Sequence, residues 1–248
     1  MDHRVLMPWR APLAEGRFIE RLHRFAAHCE VAGQTVLVHV PATGRMKELL
    51  IPGAPVGLAP AARGAAGSTM RKTAWTLTLV QHKGFWVHVD SSGPTRFLPL
   101  VFRLGLLPEF AGYPDIKAEP RLPQGGRLDF LLTGPSGPPC WVEAKSVTLV
   151  CEGVALFPDA PTPRGARHLR ELARLKGEGQ EAAAIFVIQR DDAECWSPHN
   201  ETDPDLGRAA VAAAAAGVQL VAVTMQVSWD GIDFGRRVPV VLVGESQI

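Results

Sequence analysis

Asp129, Glu143 and Lys145 are the residues whose types and spacing could do chemistry. They stand in Arg127-Leu-Asp129-Phe-Leu-Leu132 and Cys140-Trp-Val-Glu143-Ala-Lys145, on either side of Thr133-Gly-Pro-Ser-Gly-Pro-Pro139. Two apolar runs flanking a turn-rich loop predict a hairpin. If that loop is symmetric about Ser136, Asp129 falls directly opposite Glu143, with Cβ atoms about 4.5–5.5 Å apart. Lys145, two residues beyond Glu143, projects to the same face. Paired carboxylates repel unless something positive joins them. A divalent ion is the natural partner, and oxygen ligands suit Mg²⁺ or Mn²⁺. Asp129, Glu143 and the backbone carbonyl of Ala144 are the expected ligands. Such an ion acidifies a water and stabilises charge on a phosphoryl oxygen. Lys145 would orient the attacking water or steady the transition state. The blander alternative is an exposed strand face on which Lys145 bridges two acids.

The D-x13-E-x-K spacing resembles the pattern of the PD-(D/E)xK nuclease superfamily. Gln189 ends the apolar run Ile185-Phe-Val-Ile-Gln189. It is a further catalytic candidate, as a holder of water or of strand backbone, or else a satisfied strand-end amide. Glu119 would join the acidic face only in one register of the Pro123–Gly126 turn, because a one-residue slip moves it to the other side.

These residues need elements to position them. Strands are expected at 117–122, 127–133 and 139–149, with helices at about 95–104 and 164–178. Ala182–Gln189 reads as a buried strand. Asp203 caps a helix that has Pro204 at its first position and stops at Gly217, and a strand follows at Val218–Val227. Mixed strands followed by β-α-β-α-β give an α/β domain over residues 91–248, with a central mixed sheet. Residues 1–90 read differently. Phe18–Phe25, Thr35–Val40, Thr73–Gln81 and Phe85–Val89 are short strands, the last two joined by a hairpin turn at His82-Lys83-Gly84. Gly44–Leu50 is expected to be a short helix. This pattern suits a small OB-fold-like β-barrel, with a simple open sheet as the alternative. The fold class is therefore α/β overall, with an N-terminal barrel ahead of an α/β domain that the D-x13-E-x-K resemblance implies to be nuclease-like.

Basic groups suggest where a phosphate backbone would lie. Arg167, Arg170 and Arg174 share one face of the expected helix, close to Arg164 and His168. In the barrel domain Arg45, Lys47, Arg71 and Lys72 flank turns and strands. Each group has a plainer reading as a solvated face. Trp75 and Trp86 could stack on bases, but their apolar strands favour the barrel core. His39 reads as a hydrogen-bonded strand residue and Asp159 as a turn former. The formal net charge of +1 gives no global basic field, and 46% apolar with 21% charged residues is ordinary for a globular chain. No phosphate-binding or dinucleotide glycine motif occurs, so no nucleotide cofactor is expected. Cys29, Cys140, Cys151 and Cys195 have no zinc spacing, and no run is long enough to span a bilayer. A cytoplasmic location is the simplest.

Several segments together resemble the sugar fermentation stimulation protein A (SfsA) family. They are His39-Val-Pro-Ala-Thr-Gly-Arg-Met46, Arg71-Lys-Thr73, Arg127–Leu132, Val142-Glu-Ala-Lys-Ser-Val-Thr-Leu149, Phe157-Pro-Asp-Ala-Pro-Thr-Pro-Arg-Gly165 with His168-Leu169, and Phe186-Val-Ile-Gln-Arg190. The resemblance implies an OB-fold-like domain followed by a PD-(D/E)xK-type domain. It implies DNA binding, with RNA as an alternative, and a regulatory link to sugar (maltose) metabolism. It places Asp129, Glu143 and Lys145 on the nuclease-like motif. Family members usually carry Asn where Ala42 stands, Lys near Arg167 and Asn near Thr95. The functions this leaves open are a DNA-binding regulator, a Mg²⁺-dependent nuclease on DNA or RNA, and an OB-type module for RNA or protein.

Overall fold

The computed structural model describes residues 5–61, 73–122, 124–135 and 137–242. Its chain divides into two units. One holds the chain through Gly93 together with Gln189–Asp191 and Met225–Asp233; the other holds Pro94–Ile188, Asp192–Thr224 and the chain from Phe234 onward.

In the first unit the strands are β1 (Met7–Pro8), β2 (Ala14–His23), β3 (Ala26–Val31), β4 (Gln34–His39), β5 (Pro55–Pro60), β6 (Trp75–His82) and β7 (Phe85–His88). Their order is β4-β3-β2-β5-β6-β7, and a parallel β4–β6 pairing closes β2–β6 into a five-stranded barrel. Closure needs sharp local bends. Register shifts in β2 at Phe18/Glu20 and Arg21/His23, and in β6 at Thr78 opposite Gly57/Leu58, supply them. Phe18, Val38, Met46, Leu49, Leu58, Leu77 and Val87 fill the interior. The β6–β7 hairpin turns at Lys83 and Gly84, both with positive φ (49° and 86°), the geometry of a two-residue type I′ turn.

The helix expected at Gly44–Leu50 is instead a single turn. Met46 sits at φ 47°, outside the helical region. The Arg21 guanidinium takes the carbonyls of Gly44 (2.6 Å) and Arg45 (2.9 Å), which a helix would need for its own hydrogen bonds. Arg71 and Lys72 lie outside the described residues.

The second unit begins in α1 (Gly93–Arg103). It continues through β8 (Asp115–Ala118), β9 (Phe130–Thr133), β10 (Cys140–Val147), β11 (Leu149–Cys151), β12 (Val154–Phe157), α2 (Pro163–Gly177), β13 (Glu181–Ile188), β14 (Cys195–Pro198), α3 (Pro204–Ala215), β15 (Gln219–Val227) as far as Thr224, and β16 (Gly231–Val238) from Phe234 onward. The central sheet runs β16-β15-β13-β10-β9-β8, and β1 pairs with the start of β16. β10, β13 and β15 are parallel, whereas β8, β9 and β10 pair antiparallel, so the sheet is mixed. β11, β12 and β14 form a small separate sheet.

The two long helices start from one side chain. Thr162 caps α2 by accepting from Gly165 N at 3.1 Å, and Pro163 takes the first helical position, where a missing N–H costs nothing. Asp203 caps α3 by accepting from Leu206 N at 3.0 Å, and its other oxygen accepts from Thr162 N at 2.7 Å. The buried stripe Ala166, Leu169, Leu172 and Leu175 packs α2 in one core with Ala184, Phe186 and Ile188 of β13 and Leu206 and Ala210 of α3.

Candidate metal centre

The register of β9 and β10 follows directly from their loop. Cys140 pairs with Leu132, Trp141 with Leu131 and Val142 with Phe130, so the next step brings Asp129 opposite Glu143. Asp129 stands just outside β9, and its backbone carbonyl accepts from Glu119 N at 2.9 Å. On the other side of β10, Glu143 pairs with Ala184, Lys145 with Phe186 and Val147 with Ile188. Glu143, Lys145 and Val147 therefore share the face that α2 covers.

This is not an exposed strand face. Glu143 is 5% exposed, Lys145 9% and His168 5%. Lys145 Nζ donates to Glu143 Oε1 at 2.6 Å. His168, reaching across from α2, gives its Nδ1–H to the same oxygen and lies 3.3 Å from Lys145 Nζ. Arg164 Nε donates to His168 Nε2 at 3.3 Å, which leaves the imidazole proton on Nδ1. Asp129 Oδ2 accepts from Ala144 N at 2.8 Å.

The two acids are driven apart in proton affinity. Burial, and then the neighbouring Glu143 carboxylate, push the Asp129 carboxyl up to about 6. Burial also raises Glu143, but His168 and Lys145 together outweigh it and hold that carboxyl below its ordinary value. Glu143 is thus the fixed anion of the pair and Asp129 the member that exchanges its proton near neutrality.

An oxygen-seeking cation fits this set. Glu143 Oε2 is buried and has no hydrogen-bond partner among the described residues. Asp129 lies next to it in register. In an extended strand a residue's C=O points to the same side as its N–H, so the Ala144 carbonyl faces the Asp129 side of β10. Two carboxylates and one carbonyl make a hard donor set of the kind Mg²⁺ and Mn²⁺ take together with water. No group of three or more His, Cys, Asp or Glu side chains that could hold a metal exists among the described residues, so a backbone oxygen and solvent would have to complete the shell.

The remaining predicted residues separate. Gln189 is fully buried in the first unit, where its Oε1 lies 2.9 Å from His88 Nδ1 and its carbonyl accepts from His88 N. Gly93 is required beside it, since a Cβ there would come within 2.3 Å of that Oε1. Glu119 is a surface residue paired with Arg127 at 3.0 Å. Asp205 neutralises Arg170, while Glu171 and Glu178 neutralise Arg174. Arg164 and Arg167 stay exposed on α2, as do Arg45 and Lys47 on the barrel turn. His168 is a correction: the buried face of α2 turns it toward Glu143, away from any phosphate at the surface. The spacing of Gly165, His168, Leu172 and Leu175 already carried that signal, at the three- and four-residue steps of one helix face. Trp86 is also a correction. Val87 is the inward residue of β7, so the alternation of the strand turns Trp86 out of the barrel core. Trp75 is half-buried against that core, and His39 Nδ1 bonds the Phe25 carbonyl at 3.2 Å. All four cysteines are free, and burial pushes the Cys29 and Cys140 thiols up to about 12, too high for nucleophiles.

A closed OB-type barrel followed by a mixed-sheet α/β domain defines a two-part protein, and sequence comparison says which one. Residues 19–89 match the SfsA N-terminal OB domain and residues 94–231 match the sugar fermentation stimulation protein RE domain. The chain belongs to the sugar fermentation stimulation protein family. It is 45% identical over 243 residues to a sugar fermentation stimulation protein homolog of Symbiobacterium thermophilum, covering 92% of this chain and 96% of that one. A homolog from Desulforamulus reducens is 42% identical over 230 residues, covering 93% of each chain. The solved SfsA of Pyrococcus furiosus, described in complex with Ca²⁺, superposes with a TM-score of 0.86 at 28% identity, over 96% of this chain and 99% of that one.

Proposed function

We propose that this is a DNA-binding protein whose second unit holds a divalent cation in a nuclease-type centre. The observation that carries the reading is the buried, unpartnered Oε2 of Glu143, whose carboxylate is near enough to raise the proton affinity of Asp129. A buried carboxylate oxygen without a donor is costly, and a cation supplies what is missing. Asp129, Glu143 and the Ala144 carbonyl hold the ion. Lys145 and His168 fix the Glu143 rotamer by occupying its other oxygen. The ion would supply Lewis acidity at a phosphodiester oxygen. The P. furiosus relative supports the choice of ion, since Ca²⁺ belongs to the same oxygen-seeking class as Mg²⁺. The four free cysteines fit the reducing cytoplasm. Among the described residues no helix is long and apolar enough to cross a membrane.

A second reading, a regulator that binds DNA without cutting it, has one observation in its favour. Lys145 is engaged as the counter-ion of Glu143 and is not free to orient a water. Incubation with labelled single- and double-stranded DNA and RNA in Mg²⁺, Mn²⁺ or EDTA separates the two. Metal-dependent cleavage lost in Asp129→Asn makes the centre catalytic. Retarded, uncut DNA in both proteins makes it a binding scaffold, and failure of the wild type to titrate Mn²⁺ removes the metal centre altogether.

A further inference from the structure

The outer wall of the barrel carries a cleft that the metal centre does not use. It encloses about 710 Å³ between β2, the β3–β4 turn, the start of β5, Trp86 and Trp229. The two indoles form its aromatic side, with centroids 5.3 Å apart and planes inclined at 55°. Gly57 makes room for this arrangement, because a Cβ there would stand 3.2 Å from the Trp229 ring. Strand register pairs Glu15 with Gly57 and Arg17 with Glu30. Glu15 and Arg17 are two apart on β2 and share a face. Both carboxylates and the guanidinium therefore line the wall on which Trp229 sits, and all three are exposed. Arg17 is steadied by donating to the Gly53 carbonyl at 3.1 Å.

This lining selects a ligand chemistry. Inclined indoles offer a flat ring one stacking face and one edge. The carboxylates only accept and the guanidinium only donates. Two carboxylates beside one guanidinium give a phosphate backbone little net attraction, so what this lining selects is the base, a neutral ring that carries N–H donors, with Arg17 available to one phosphate. The volume falls within the range of small-ligand sites, roughly 300–1,000 Å³. We propose that the cleft receives one unpaired nucleobase of a single-stranded nucleic acid. The base stacks on one indole of the Trp86–Trp229 pair, meets the edge of the other and donates to Glu15 or Glu30, while Arg17 meets the adjoining phosphate. Guanine fits best, since its ring N–H and amino group are adjacent donors that one carboxylate accepts together. The inference rests on the nucleic-acid reading above and adds to it a base-binding subsite.

The test uses the intact chain in EDTA. Short labelled oligonucleotides, all-thymine or with one central guanine, are titrated by anisotropy and by tryptophan fluorescence, beside the corresponding duplex. Trp86→Ala or Trp229→Ala is expected to weaken single-strand binding by about tenfold, the usual scale for one stacked base. Glu15→Gln with Glu30→Gln, both at the surface, is expected to erase the guanine preference with thermal melting unchanged. Duplex binding and Mn²⁺ titration are expected to stay as in the wild type. Equal single-strand binding in the wild type and in all these variants overturns the subsite and leaves the nucleic-acid reading standing. No binding of any nucleic acid by the wild type overturns both. Tryptophan quenching by a proline-rich peptide, with no response to any oligonucleotide, assigns the cleft to a peptide and overturns the nucleobase.

Discussion

Two groups of polar side chains stand in this protein under opposite conditions. Glu143, Lys145 and His168 are over nine-tenths buried, and the Lys145 ammonium and the His168 ring N–H converge on one carboxylate oxygen. Glu15, Arg17 and Glu30 line an open cleft in full contact with water. Burial makes the first group expensive to assemble and hard to alter, because each charge depends on its neighbours. Exposure makes the second cheap, screened by salt and adjustable, so that its discrimination must come from the shape set by Trp86, Trp229 and Gly57. Chemistry suits the first condition and selection among similar ligands suits the second.

The largest expected effect would break the buried group. Glu143→Ala leaves Lys145 uncompensated and should cost about 3–5 kcal/mol in chemical denaturation, the scale for breaking a buried ion pair. Divalent-ion binding should vanish with it. Glu15→Ala on the barrel wall should leave the denaturation midpoint where it is. Equal effects at the two sites would remove the contrast.

Asp129 gives a pH signature of the same contrast. Its folded proton affinity, about 6, lies above the unfolded value, so between about pH 4 and 6 the native state holds a proton that the unfolded chain has released. The metal-free protein therefore loses stability as pH rises through that window. Asp129→Asn should remove the loss, gaining on the order of 2–3 kcal/mol at pH 8 and nothing below pH 4. Saturating Mg²⁺ should reverse the order of the two proteins at pH 8. Melting curves at both pH values, with and without the ion, check the sign.

A smaller effect tests whether α2 must be held in place for His168 to reach Glu143. Asp203→Ala removes an acceptor from each of two helix starts and should cost about 2 kcal/mol, since one cap is worth roughly 1. The smallest effect concerns the helix surface. Arg167→Ala should lower the salt slope of DNA binding by about one, whereas Arg170→Ala and Arg174→Ala, already neutralised by carboxylates, should leave it nearly unchanged. A slope lowered equally by all three would mean that those ion pairs open on binding.

The carboxylate pair was legible because a hairpin is a local structure. A loop symmetric about one residue fixes the register, and period-two alternation then places Lys145. The caps of α3 at Asp203 and Gly217 were legible for the same reason. The strands Ala26–Val31 and Pro55–Pro60 were not. The first is built from Ala, His and Glu with little intrinsic strand preference, and the second is bounded by prolines and carries a glycine, all marks of a loop. Barrel closure, a long-range effect, makes them strands. Arg21 is the converse case: a side chain distant in sequence takes carbonyls from a segment whose local pattern predicts a helix. The pairing of Trp86 with Trp229 joins residues far apart in the chain, and no local pattern contains it.

The double use of Asp203 has a further consequence. Thr162 and Asp203 are 41 positions apart, yet one carboxylate begins both α2 and α3. Fraying at the start of either helix breaks the same group of hydrogen bonds. In native-state hydrogen exchange the first turns of the two helices should therefore open as a single cooperative unit, with one shared opening free energy.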